Sequence, residues 1–83
     1  MSSVQKPIVM PKFGYEVDTA TLVSWTKKLG DRVREGEVVA EVEAAKGTAE
    51  LEAPAAGVLA EILCEPGQEA PVGTVLGYVD DTA

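Results

Sequence analysis

Residues 38–54 read VVAEVEAAKGTAELEAP, and this stretch decides the fold. Val38, Ala40 and Val42 stand at alternate positions before Lys46, and Ala49, Leu51 and Ala53 at alternate positions after it. Two period-2 apolar patterns separated by a few small residues predict two antiparallel strands and a tight turn. If Ala45 and Lys46 form the centre, paired positions sum to 91, so Val42 faces Ala49, Ala40 faces Leu51 and Val38 faces Ala53. A one-residue slip would set Val42 against Glu50 and Leu51 against Glu41, turning one strand's apolar face to water. The pattern therefore excludes an odd loop and predicts a loop of two or four residues centred on Ala45-Lys46. The same register opposes Glu41 and Glu50, which is mildly unfavourable. The turn also lacks the Asn-Gly or Asp-Gly pair that stabilises tight hairpins, a hint that this tip does more than turn.

Outward from the hairpin the chain repeats. LVSWTKKLGDRVREGEVVAEVE (22–43) aligns with LAEILCEPGQEAPVGTVLGYVD (59–80) at a constant offset, since Gly30 to Gly67 and Gly36 to Gly73 are both 37 residues. Leu22, Trp25, Val33, Val38 and Val42 then meet Leu59, Ile62, Ala70, Val75 and Val79. Each half reads strand, glycine turn, short segment, glycine turn, strand, with glycine supplying the positive φ of tight turns. Two such halves predict an all-β flattened sandwich or barrel around one core. Pro7, Pro11, Pro54, Pro66 and Pro71 mark edges and turns, and no segment sustains a helical period. Under the offset Lys46 corresponds to Ala83, so two-fold symmetry places the C-terminus at the end opposite the lysine.

The 83 residues predict one domain, with 1–80 as the folded unit and 81–83 as a linker start or free terminus. Seven basic against fourteen acidic residues give a net charge of −7, which argues against nucleic acid and anionic membranes as partners. There is no histidine and one cysteine, Cys64. That excludes an internal disulfide, a His/Cys zinc site and histidine acid–base catalysis. Cys64 reads as a small buried residue, Trp25 as core or half-buried, and Asp31 as shaping the Gly30 turn. With no apolar run of membrane-spanning length and no secretory signal in MSSVQKP, the reading is a cytoplasmic protein, or one of the mitochondrial matrix that has lost a presequence.

Taken together, PIVMPKFG, the segment from Ala20 to Leu59, EAPAAG and PGQEAPVG resemble the lipoyl domains of 2-oxo acid dehydrogenase complexes, within the biotinyl/lipoyl carrier superfamily. Gly30 and Glu43 stand sixteen and three residues before Lys46, as in that family. The resemblance implies two four-stranded antiparallel sheets related by a pseudo-two-fold axis, a barrel-sandwich hybrid. It implies lipoate in amide linkage to Lys46 and no catalytic residue or metal in the chain itself. The arm would take an acyl group from a thiamin-dependent 2-oxo acid decarboxylase, pass it to an acyltransferase core and be reoxidised by dihydrolipoyl dehydrogenase. A lipoate ligase or lipoyl transferase would attach it. Gly30, Glu41, Glu43, Ala45, Gly47 and Glu50 are the candidates for recognition by that ligase or by the partners, with Glu43 foremost.

The flanks of the lysine depart from the family. Lipoyl domains usually carry Asp before it and Ala after it, where Ala45 and Gly47 stand here. Biotin carriers usually have Met on both sides, also missing, although EAAK shares their Glu-Ala. Two alternatives follow: a biotinyl domain of a carboxylase with biotin on Lys46, and an unmodified interaction module of the same fold.

Overall fold

The computed structural model describes residues 4–12, 18–45 and 47–81. They form eight strands: β1 (Gln5–Val9), β2 (Thr19–Trp25), β3 (Arg32–Val33), β4 (Val38–Ala44), β5 (Gly47–Glu52), β6 (Gly57–Ile62), β7 (Glu69–Pro71) and β8 (Val75–Asp80). No described residue is helical. The strands build two four-stranded antiparallel sheets, ordered β1-β8-β6-β3 and β5-β4-β2-β7. The molecule is an elongated body of 41 × 19 × 18 Å.

The two sequence halves do not each form a sheet. Every sheet takes two strands from each half, because the short segments β3 and β7 cross to the opposite layer. The exchange is symmetric down to single hydrogen bonds. Gly30 N–H donates to the Leu59 carbonyl and Gly67 N–H to that of Leu22, each at 2.8–2.9 Å, and Leu59 and Leu22 donate in turn to the carbonyls of Asp31 and Gln68. Gly36 pairs with Ala53 as Gly73 pairs with Met10. The 37-residue offset thus holds through β2–β4 and β6–β8. It widens to 43 residues for β1 and β5, as Met10 and Ala53 show, because the β1–β2 connection is longer than the β5–β6 one.

The hairpin pairs as the apolar pattern demands over most of its length: Val42 with Ala49, Ala40 with Leu51, Glu41 with Glu50, and Ala44 with Gly47, leaving two residues in the turn. The expected pairing of Val38 with Ala53 fails. Val38 pairs with Glu52 because a bulge inserts Val39 as an extra residue. The bulge lets Val39 and Ala40 both turn to the core, where neither is exposed. Its counterpart in the other sheet bulges at Leu76, and the β2–β4 and β6–β8 ladders bulge in parallel at Val23 and Ala60. Bulges increase strand twist, and four placed symmetrically wrap two small sheets around one core.

That core contains Met10, Leu22, Val39, Val42, Leu59, Leu76 and Val79, all fully buried. Each such side chain contributes roughly 1.5–3 kcal/mol over its exposed state. Trp25 is half-buried and clasps the two layers: its indole N–H donates to the Cys64 carbonyl at 2.7 Å. The ring lies over Gly77, where an added Cβ would approach it at 3.2 Å. The symmetric pair is Ile62 and Ala40, so a larger ring on one side is offset by a missing methyl on the other.

Candidate functional site

Lys46 and Ala83 lie outside the described residues; the walls of the lysine hairpin do not. Ala44 and Gly47 close the ladder, and Ala45 is exposed. Gly47 is exposed with φ of 148°, and a Cβ built on it meets nothing within 4 Å. No side chain of the two flanking residues therefore shields the turn. A covalent acyl arm needs only an accessible primary amine, and these flanks fit that requirement.

The other end of the molecule is where the chain leaves. Asp81 lines a groove with Lys27, Arg34 and Glu37, beside the start of β4. Seven residues of β4, at about 3.3 Å each, put ~20 Å between that end and the lysine turn. Asp81 N–H donates to the Val4 carbonyl, which is the symmetric image of the Ala44–Gly47 closure.

A row of side chains crosses the outer face behind the hairpin. Thr48 on β5 stands beside Glu43 on β4, Glu43 beside Thr21 on β2, and Thr21 beside Glu69 on β7. The next row sets Glu50 beside Glu41 and Glu41 beside Ser24. Glu43, Glu50 and Glu69 are exposed and Glu41 is half-buried. Glu41, Glu43, Glu50, Ala45 and Gly47 are thus brought together at one end. Glu69 completes the acidic face and is the residue that reading along the chain missed. Only the pairing of β7 with β2 reveals it.

Gly30 is not part of this cluster. The ladder pairs Thr21 with Glu43 and Trp25 with Ala40, so β2 runs away from the hairpin and Gly30 follows its far end. Its φ of 89° and its bond to the Leu59 carbonyl make it a turn and crossover residue. Asp31 holds that turn, its carboxylate accepting from Lys28 N–H at 2.9 Å.

Cys64 is buried, and burial, reinforced by the neighbouring Glu65 charge, pushes its thiol up from the ordinary value. Such a thiol is a poor nucleophile at neutral pH. Among the described residues no group of three His, Cys, Asp or Glu side chains is placed to hold a metal ion, and no helix is long and apolar enough to cross a membrane.

Comparison with known proteins agrees with this geometry. A family profile described as "Biotin-requiring enzyme" (biotin/lipoyl) matches residues 6–79. The chain is 39% identical over 74 residues to the dihydrolipoyllysine-residue acetyltransferase component of the acetoin cleaving system of Bacillus subtilis, covering 89% of this chain and 19% of that protein. It is 38% identical to the acetyltransferase component of the pyruvate dehydrogenase complex of Mycobacterium bovis, covering 89% and 13%. Identity is 37% to the succinyltransferase component of the 2-oxoglutarate dehydrogenase complex of Rickettsia typhi, covering 92% and 19%. The chain thus spans less than a fifth of these relatives. The solution structure of the lipoyl domain of the 2-oxoglutarate dehydrogenase complex from Azotobacter vinelandii superposes with a TM-score of 0.67 at 31% identity, covering 87% of this chain and 94% of that one.

Proposed function

The chain belongs to the biotinyl/lipoyl family as a lipoyl domain, and from that premise we propose that Lys46 is its attachment site and that the group attached is lipoate. As a lipoyl domain it is a carrier and not a catalyst. The observation that supports the reading is the closure of the ladder by Ala44 and Gly47, which leaves only Ala45 and Lys46 between the two strands, with small residues on either side of the lysine. The family description names biotin, but the relatives' names specify dihydrolipoyllysine, which favours lipoate over biotin.

Held there on Lys46, lipoate would supply a disulfide able to carry an acyl group, and the partners it would serve are a thiamin-dependent 2-oxo acid decarboxylase, an acyltransferase core and dihydrolipoyl dehydrogenase. The chain's own contribution is positional. The folded unit, which we assign to residues 1–80, holds the amine at one end, and the chain exits at the other. A tether at the exit leaves the tip free to visit successive sites at high effective concentration. The glutamates around the tip offer an acidic face to a lipoate ligase or lipoyl transferase.

Intact mass after incubation with lipoate, ATP and a lipoate ligase tests the assignment. The wild-type chain should gain one lipoyl group, and Lys46→Arg should gain none while keeping the wild-type unfolding midpoint. Moving the amine with Lys46→Ala and Gly47→Lys should also abolish labelling, because residue 47 sits in the ladder with a backbone suited to glycine. Labelling of Lys6, Lys12, Lys27 or Lys28 in the Lys46→Arg variant overturns the assignment.

A further inference from the structure

The four edge strands of the two sheets are not equally closed. Backbone groups of an edge strand alternate between the ladder and the open side, and the crossing hydrogen bonds fix the phase of each. In β1, the Val4 carbonyl and Met10 N–H face the ladder, so Gln5, Pro7 and Val9 face out. In β7, the Gln68 carbonyl and Val72 N–H face in, so Glu69 and Pro71 face out. Both edges thus carry a proline at an outward position, where it has no N–H to offer. The third edge, β3, is two residues long. In β5, Ala53 N–H donates inward to the Glu37 carbonyl, so Thr48, Glu50 and Glu52 present both N–H and C=O outward. β5 is six residues long, has no proline, and pairs only with β4.

The surroundings of that edge define what fits it. On the outer face, Glu50 stands beside Glu41, Glu52 beside Val38 and Thr48 beside Glu43, so three glutamates and no opposing cation follow the edge, with no lysine or arginine among the described residues of β2, β4, β5 and β7. Towards β1, a shallow groove is lined by Pro7, Val9, Pro11, Leu51 and Pro54, and by Glu50 and Glu52 themselves. An added strand would turn alternate side chains to each. A second copy of β5 would bring glutamate rows together, which is unfavourable, so this edge rejects self-pairing.

We propose that β5 is a docking edge for an extended segment of a partner protein with Lys or Arg at alternate positions and apolar residues between them. The segment pairs with the outward N–H and C=O groups of Thr48, Glu50 and Glu52. Its basic side chains lie along the glutamates and its apolar ones enter the proline-lined groove. Main-chain pairing supplies affinity and the alternation supplies specificity. β5 begins at Gly47, so a partner bound there lies beside the lysine turn, whatever Lys46 carries.

The probe is a blocked nine-residue peptide alternating Lys and Val, added to the intact chain and followed by amide hydrogen exchange. The amides of Thr48, Glu50 and Glu52 should slow by about tenfold or more near saturation, as expected for amides recruited into a ladder. Binding should weaken as salt screens the glutamates. The variant Glu50→Pro copies the proline that β1 carries at the symmetric position, so it should fold normally and lose the protection. If that variant fails to fold, the same peptide N-methylated on alternate residues should protect nothing on the wild-type chain. Equal binding by a peptide of the same composition with its lysines contiguous overturns the proposal, as does protection that survives Glu50→Pro or N-methylation, or no slowing at β5.

Discussion

The two ends of this molecule are built on equivalent backbone pairings and carry different residues. At one, Ala44 and Gly47 close a hairpin around the lysine turn. At the other, Asp81 and Val4 make the equivalent closure with the chain open between them. Behind the first lies the row Thr48, Glu43, Thr21, Glu69. Behind the second lies its image, Gln5, Asp80, Val58, Arg32. Duplication supplies the same frame at both ends, and the copies diverge in the residues set on it. One end keeps a continuous turn and an acidic face; the other mixes signs and lets the chain out.

The largest break in that comparison is to exchange the ends. A circular permutant that joins Asp81 to residue 4 through Ala-Lys, with Val4→Gly, and opens the chain between Ala44 and Gly47 should fold. Its new lysine sits in the same turn before the wrong row. If the acidic row guides the ligase, modification should slow by about tenfold or more, equivalent to ~1.4 kcal/mol, in a mass-spectrometric time course. An unchanged rate would show that the turn alone is read.

Next in size is the core that the halves share. Leu22→Ala and Leu59→Ala remove equivalent, fully buried side chains, and each should cost about 2–5 kcal/mol in urea unfolding. Costs agreeing within experimental error would show that symmetry extends to energetics. A marked inequality would locate the looser half.

A smaller effect separates Gly57 from its counterpart Ala20. A Cβ on Gly57 would collide with the Asp80 carbonyl and touch the Asp81 Cα, whereas Ala20 carries its methyl in the core. Gly57→Ala should destabilise by about 1–3 kcal/mol, with amide shifts concentrated at Asp80 and Asp81.

The smallest concerns a contact that one half has and the other lacks. Lys27 bonds Glu37 at 2.9 Å, while the equivalent positions hold Cys64 and Thr74. The Lys27 hydrogen bond, then the Arg34 N–H, holds the partly exposed Glu37 carboxyl below its ordinary value of 4.5. A group depressed in the folded state stabilises fully above its unfolded value and loses that contribution as pH falls through the folded one. Lys27→Met should therefore leave the unfolding midpoint at pH 7 almost unchanged, as exposed pairs contribute little, and slightly flatten the fall in stability below pH 4.5.

Much of this was legible along the chain because it is local. Alternation between Val38 and Ala53 determined two strands, their faces and, through the opposition of Val42 and Ala49, the register near the turn. The 37-residue repeat determined the pseudo-symmetry, since glycines such as Gly30 and Gly67 recur where a positive φ is needed. Tertiary structure decided what depends on partners distant in sequence. β3 and β7 exchange layers, which strands of two and three residues are too short to announce. The bulge at Val39 replaces Ala53 with Glu52 opposite Val38, because closing two sheets over one core requires local twist that alternation does not encode. Gly30 leaves the lysine's end and Glu69 joins it, because the direction of β2 and its pairing with β7 are fixed by packing. The openness of β5 emerges only when each edge residue is assigned an inward or an outward backbone, and that phase is set by hydrogen bonds across the sheets.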